Sequence, residues 1–134
     1  MGKRMTAPNG EYHGIILNLS QRDKDIFRSL RIVGGKGFLL GLIRFYKVSV
    51  KGSQLPEVIN RVRANVTDRI LFKRLSFYAH FYRENELIIV YKDRVFSITT
   101  EKSSWSEAIG YGKSLGIPAS QLDFYPCKVD DEYY

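Results

Sequence analysis

The sequence predicts an α+β fold, in which three helices pack on a mainly antiparallel sheet. Several stretches alternate apolar and polar residues with the period of two that is typical of strands, and three others carry the start and stop signals of helices. The 134 residues are 44% hydrophobic and 26% charged, so folding should bury about two-thirds of the surface of the unfolded chain. These observations favour a single globular domain.

The order of the predicted elements suggests a more specific plan. From residue 38 to residue 126 the order is βαββαβ, which is that of the ferredoxin-like fold, and an N-terminal βα unit precedes this block. We expect one α+β domain over residues 11–126, a flexible leader over 1–10 and a flexible acidic tail over 127–134. Element order is an architectural analogy, and folds of this kind carry many unrelated functions.

The N-terminal unit begins with a predicted strand over residues 12–19, rich in isoleucine and leucine. A helix should follow, with Ser20 as its N-cap and the pair Gly34-Gly35 as its stop. We interpret the glycines around Lys36 as a C-cap and connector. A phosphate-binding loop would require the order strand, loop, helix, whereas this loop lies between a helix and a strand.

The next elements are a long strand over residues 38–50 and the clearest amphipathic helix of the chain. Ser53 and Pro56 mark the beginning of that helix. Its apolar face is predicted to comprise Leu55, Ile59, Val62 and Val66.

An antiparallel meander is predicted over residues 69–100, with turns at 83–85 and 92–93. Its first strand alternates between two sets of side chains. If helices cover only one face of the sheet, the more apolar set should lie under them and the other set should form an open face. The apolar set is Leu75, Phe77, Ala79 and Phe81, and the other set is Ser76, Tyr78, His80 and Tyr82.

The third helix has well-marked ends. Ser104 and Glu107 have the spacing of a capping box, and the helix should end at Gly116. Ala108, Gly112 and Gly116 form a line of small residues along one side. We interpret this line as tight packing on the parent sheet, with an intersubunit contact as the alternative. A last strand over residues 122–125 completes the predicted order.

The net charge of +7 is unevenly distributed along the chain. Residues 22–74 contain 13 lysines and arginines but only four acids, whereas residues 123–134 contain four acids and one lysine. A regional excess of positive charge is more informative about a partner surface than the isoelectric point of the whole chain.

Several of these cations lie directly before the aromatic strand of the meander. Cations that neutralise phosphates, beside rings that stack on bases, are typical of proteins that bind RNA or single-stranded DNA. Arg61 and Arg63 lie about 200° apart around a helix, so both cannot occupy the centre of one patch. The alternative is that these cations merely solvate the surface. The candidate nucleic-acid-binding residues are Arg61, Arg63, Arg69, Lys73, Arg74, Tyr78, His80 and Tyr82.

Two other classes of function remain open at this point. The predicted open face with its two tyrosines and His80 could instead form a subunit interface or bind a small ligand, which would make the protein a self-associating scaffold or a sensor. A small RNA-cleaving enzyme could use His80 with nearby tyrosines and arginines. No catalytic signature and no metal-ligand spacing occurs, so we expect no catalytic residue, metal or cofactor.

The location expected from the sequence is the cytoplasm. The only cysteine is Cys127, which cannot form an intrachain disulfide, and no segment resembles a signal peptide. The longest apolar run is far shorter than the ~20 residues that span a bilayer, so we expect no membrane partner.

Overall fold

The polypeptide folds around a six-stranded antiparallel sheet. The computed structural model describes residues 10–38, 43–67, 69–70, 73–74, 77–122 and 124. In chain order these form β1 (Glu11–Leu17), α1 (Ile26–Ser29), β2 (Arg31–Phe38), β3 (Ile43–Lys51), α2 (Leu55–Asn65), β4 (Arg69–Ile70), β5 (Lys73–Arg74), β6 (Tyr78–Arg83), β7 (Glu86–Tyr91), β8 (Val95–Thr99) and α3 (Ser106–Ser114). The predicted class, α+β with an antiparallel sheet and three helices, is confirmed. Of the predicted leader only Gly10 is described, and the predicted tail at 127–134 lies outside the described residues.

The strands of the large sheet lie in the order β2-β3-β1-β6-β7-β8, and every neighbouring pair is antiparallel. The N-terminal strand β1 lies at the centre, between β3 and β6. This arrangement differs from the ferredoxin-like plan that element order suggested. β3 corresponds to the first strand of the predicted βαββαβ block. It pairs with β2 and β1 and is not adjacent to any strand of the meander.

The first half of the chain differs from the prediction at the glycines. The predicted helix is reduced to the four residues of α1, and Gly34 and Gly35 lie inside β2 instead of ending a helix. The expected strand over residues 38–50 corresponds mainly to β3, which begins at Ile43, while Phe38 is the last residue of β2. A Cβ atom at Gly35 would lie 2.9 Å from the carbonyl oxygen of Phe45, so glycine permits β3 to approach closely.

One face of the sheet, the α2 face, is apolar. Helix α2 begins with Pro56 in its first turn, as predicted, and buries Leu55, Val58 and Val62. Ile59 is only partly buried, and Val66 lies just beyond the helix in the same core. The sheet residues that pack beneath the helix include Ile16, Val48, Phe81 and Val90, all of them inaccessible to solvent.

The opposite face, the α3 face, is covered as well. Helix α3 and the segment after it pack on β6, β7 and β8. Trp105 is buried there, and its Nε1–H donates a hydrogen bond of 2.7 Å to the carbonyl oxygen of Thr99. The core of this face includes Leu87, Ile89, Tyr91, Phe96, Ala108, Ile117, Leu122 and Phe124.

The end of α3 is confirmed and its predicted beginning is wrong. Gly116 has a φ of 88°. Its N–H donates to the carbonyl oxygen of Lys113, and the N–H of Ile117 donates to the carbonyl oxygen of Gly112. These features together form a Schellman motif at the end of the helix. At the other end, no side chain caps the helix. The Ser104 hydroxyl instead accepts a hydrogen bond from the backbone N–H of Thr99, because Ser104 lies in a 3₁₀ turn before the helix.

The meander is confirmed over β6, β7 and β8. Both predicted turns are present, and Glu84 in the first has a φ of 53°. Leu75 and Ser76 lie outside the described residues. Leu122 and Phe124 are not in a strand, so the final predicted strand is not formed at these positions. None of the helices that the structure describes is long and apolar enough to cross a membrane.

Candidate functional site

A set of hydrogen bonds joins residues 20–23 to the C-terminal end of α2. The N–H of Arg22 donates to the carbonyl oxygen of Asn65 at 2.7 Å, and the Asn65 side-chain amide donates to Gln21 Oε1 at 3.0 Å. The backbone N–H of Asp23 donates to Asn65 Oδ1 at 2.9 Å, and the backbone carbonyl oxygen of Asp23 accepts from Asn65 Nδ2 at 2.8 Å. Gln21 is completely buried. These contacts hold two segments together that are far apart in the sequence.

The join brings separate basic segments to one end of the molecule. Arg22, Lys24 and Arg28 are exposed on one side of it. The Lys24 ammonium donates to the carbonyl oxygen of Gln21, which holds this side chain close to the join. Arg28 lies 3.8 Å from Asp25, and both side chains are largely exposed, so this ion pair is weak.

The backbone of β4 begins at the same end. The N–H of Thr67 donates to Ser20 at 2.8 Å, and β4 begins two residues further on, within about 7 Å along the chain. β4 and β5 form a two-stranded antiparallel ribbon in which Arg69 pairs with Arg74 and Ile70 pairs with Lys73. Three of the candidate cations are therefore neighbours along this ribbon.

The two candidate arginines of α2 diverge, as their spacing predicted. The Arg61 guanidinium donates to the Ser29 hydroxyl, on the side of α1. The Arg63 side chain donates to the carbonyl oxygen of Lys92 at 3.1 Å, on the side of the second turn of the meander. Only Arg61 thus joins the other cations. The basic end, as we call it, comprises Arg22, Lys24, Arg28, Arg61, Arg69, Lys73 and Arg74.

The three candidate aromatic residues lie on the α3 face and do not form an open surface. His80 and Tyr82 are each 7% exposed, and Tyr78 is half-buried against the ring of Phe124 at 5.2 Å. The expectation of an open face is wrong because α3 and the segment after it cover the side of the sheet that the prediction left bare. The rings still form a row, with 6.2 Å between Tyr78 and His80 and 6.1 Å between His80 and Tyr82.

Polar groups that the sequence did not single out continue this row across the sheet. His13 of β1 lies opposite Tyr82 of β6 and opposite Ser49 of β3. Two residues further along β1, on the same face, Ile15 lies opposite Lys47 of β3. Burial lowers the pKa of His13, and the nearby charge of Lys47 lowers it further. Lys47 is 0% exposed. Both histidines and a lysine therefore share one face, but in this conformation Lys47 is closed to any substrate.

The line of small residues on α3 has an intramolecular cause. A Cβ atom at Gly112 would lie 2.6 Å from Leu122 and 2.7 Å from the Tyr91 hydroxyl, and that hydroxyl donates to the carbonyl oxygen of Ala108 at 2.7 Å. The predicted tight packing on the parent sheet is confirmed at Gly112.

Long-range contacts explain which residues of the basic end the sequence prediction missed. Arg22, Lys24 and Arg28 fell within the basic region at 22–74, so their charge was visible, but their position beside Asn65 was not.

Among the residues that the structure describes, no three His, Cys, Asp or Glu side chains lie close enough together to hold a metal ion. Comparisons with known protein families, curated proteins and solved structures find no match.

Proposed function

We propose that the protein binds RNA or single-stranded DNA through its basic end, by contacts with phosphate groups and without catalysis. The observation that carries the proposal is the join at Asn65, which gathers basic segments from two parts of the chain at one end of the molecule. Phosphate contacts supply most of the affinity in non-specific nucleic-acid binding, and they need clustered cations instead of a deep pocket. We expect this to occur in the cytoplasm, where a lone cysteine stays reduced.

The proposed mode of binding follows from the burial of the aromatic row. His80 and Tyr82 have little exposed surface, so they do not offer a platform on which bases could stack. Binding should therefore depend on charge and only weakly on base sequence. The same burial argues against cleavage at His80, because a general acid or base must come within hydrogen-bonding distance of the substrate.

The test is a titration of fluorescently labelled oligouridine and oligothymidine, followed by anisotropy at several salt concentrations. If all seven cations of the basic end neutralise phosphates, the logarithm of the binding constant should fall with the logarithm of salt with a slope of up to about −5, because each contact contributes about −0.7 on a single strand. An absence of binding at low salt would refute the proposal.

Charge reversal locates the surface. The triple substitution R69E, K73E and R74E should weaken binding at least about tenfold and make the salt slope shallower by about 2. The matched control is K92E, K102E and K113E, which changes the net charge equally at exposed positions away from the basic end. If both triple variants lose affinity to the same extent, only the net charge matters, and the basic end is not the site.

A further inference from the structure

Strand β2 is one edge of the large sheet and exposes two apolar side chains. Among the described strands, β3 is its only hydrogen-bonded neighbour. Ile32 and Val33 are 41% and 39% exposed, and the described residues include only one other exposed large hydrophobic side chain. Exposed edges with apolar side chains accept additional strands, and natural proteins usually protect them with charges, bulges or covering segments.

The two edges of the sheet differ in this respect. At the other edge, β8 exposes Ser97 and Thr99, while Phe96 is buried under α3. In β2 the pairing with β3 shifts between Ile32 and Gly34, and the glycines that follow carry no side chain that could block an approaching backbone. The β8 edge thus exposes polar side chains, whereas β2, although its pairing with β3 is irregular, exposes two apolar ones.

The charge around this edge indicates the kind of strand that it would accept. Residues 31–51, which contain β2 and β3, include no carboxylate, and apart from the buried Lys47 they carry four cations: Arg31, Lys36, Arg44 and Lys51. Arg31 lies 3.4 Å from Glu11 of β1, and both side chains are exposed. A second copy of the same ribbon would bring like charges together, and antiparallel pairing centred between Val33 and Gly34 would place Arg31 opposite Lys36. Self-pairing in this register is therefore disfavoured.

We infer that β2 binds an extended, acidic segment of a partner protein by strand addition. Main-chain hydrogen bonds to β2 would supply affinity, while the exposed side chains of Ile32 and Val33 and the surrounding cations would select alternating apolar and acidic residues in the partner. This inference is independent of the nucleic-acid proposal, since a nucleic acid cannot form main-chain pairs with a strand edge.

A direct test uses a short, end-capped peptide of alternating glutamate and valine that carries a fluorophore. Binding to the full chain is measured by anisotropy. We expect the peptide to bind, and two relatives of it to bind at least about tenfold more weakly. One relative has lysine in place of glutamate, and the other is N-methylated at alternate residues so that its backbone donors are removed. Equal binding of the N-methylated peptide would overturn strand addition, and equal binding of the lysine peptide would overturn acidic selectivity.

Substitutions at Ile32 separate charge from the loss of an apolar contact. I32E and I32K remove the same side chain from an exposed position, but only I32E repels an acidic strand. We expect I32E to bind the peptide at least about tenfold more weakly than I32K. S97E, which adds the same charge at the β8 edge, should leave the affinity unchanged. If S97E weakens binding as much as I32E, the peptide does not recognise the β2 edge.

Hydrogen exchange identifies the occupant. The bound peptide should slow exchange at amides of β2 and leave those of β8 unaffected. If oligouridine protects β2 while the peptide does not, the edge belongs to a nucleic-acid surface and the inference is wrong. A concentration-dependent dimer in light scattering that I32E dissociates would assign the edge to a second copy, which would overturn the inference as well.

Discussion

The two faces of the six-stranded sheet are built from different kinds of side chain. On the α2 face, mainly aliphatic residues of the strands, with Tyr12 and Phe81 among them, meet the aliphatic stripe of the helix, which includes Val62. On the α3 face, aromatic rings dominate beside the helix, and a polar row with His13, Lys47 and His80 occupies the part of the sheet formed by β1, β3 and β6. One face is stabilised chiefly by the removal of apolar area from water, and the other also depends on hydrogen bonds and protonation states.

This difference has a practical meaning for substitutions. An apolar core responds to volume, so its losses should scale with the cavity that is left. A polar and aromatic core responds to geometry and to pH, because a hydroxyl or an imidazole must keep its partner or its charge state. The four predictions that follow test this contrast, beginning with the largest expected effect.

Phe81→Ala should lower the free energy of unfolding by about 3–5 kcal/mol. Phe81 is 0% exposed on the α2 face, and its ring lies against Gly14, where even a Cβ atom would come within 2.4 Å. Urea denaturation measures the effect, and Phe81→Leu should lose clearly less because it leaves a smaller cavity. A loss below about 1 kcal/mol for alanine would contradict close packing on this face.

On the α3 face, two glycine substitutions should change stability in opposite directions. Gly112→Ala should cost about 1–3 kcal/mol, because the new methyl group meets Leu122 and the Tyr91 hydroxyl. Gly110→Ala should instead stabilise the protein by up to about 1 kcal/mol, because nothing lies within 4 Å of its Cβ and alanine favours the helix. Thermal unfolding of both variants checks the signs, and stabilisation by Gly112→Ala would contradict the packing described above.

Tyr91→Phe should cost about 1 kcal/mol, because it removes the buried hydrogen bond to the carbonyl oxygen of Ala108. Burial raises the pKa of the Tyr91 hydroxyl, and the proximity of Tyr111 raises it further, so this hydroxyl stays neutral in ordinary buffers. The difference between wild type and variant in urea titrations should therefore be the same in mildly acidic and mildly alkaline buffer. A loss that disappears in alkaline buffer would show that the hydroxyl titrates.

The smallest effect concerns pH and His13. Its pKa is lower in the folded state than the value of about 6.5 for an unfolded chain, so the unfolded state binds the proton more tightly. The contribution of His13 to the free energy of unfolding should be fully present above the unfolded pKa and should be lost as the pH falls towards the folded pKa. His13→Gln should flatten this decline in urea titrations between about pH 7.5 and 5.5. Burial lowers the pKa of His13 more than the charge of Lys47 does, so added salt should weaken the decline only in part. If His13→Gln shows the same decline as wild type, the decline belongs to other groups.

Local sequence was sufficient for elements whose signals are local. Helix α2 was predictable from Pro56 and the spacing of Leu55 and Val62, and the meander from its alternation and its two turns. Gly34 and Gly35 misled the prediction, since glycine ends many helices. Their place in β2 depends on the backbone of Phe45, which approaches from another strand and leaves no trace near the glycines in the sequence.

The candidate site was predictable in its charge but not in its geometry. Arg69, Lys73 and Arg74 were identified because they cluster along the chain. Their proximity to Arg22 depends on long-range hydrogen bonds of Asn65 and Thr67, which no local pattern signals. The exposure of Tyr82 could not be predicted either, because alternation identifies two faces of a strand but not which of them a distant helix will cover.

Because β1 lies at the centre of the sheet, the chain cannot pair its strands in the order in which they are synthesised. β1 leaves the ribosome before either neighbour, and its bond with β6 must wait until Tyr82 has been made. Pairing between such distant segments is slow, since a long loop must close first. In the meantime the isoleucines of β1 remain exposed on a strand that is ready to pair with other chains, which is a form that chaperones bind. The middle of this sheet, and not its edges, should therefore limit how fast and how cleanly the protein folds during translation.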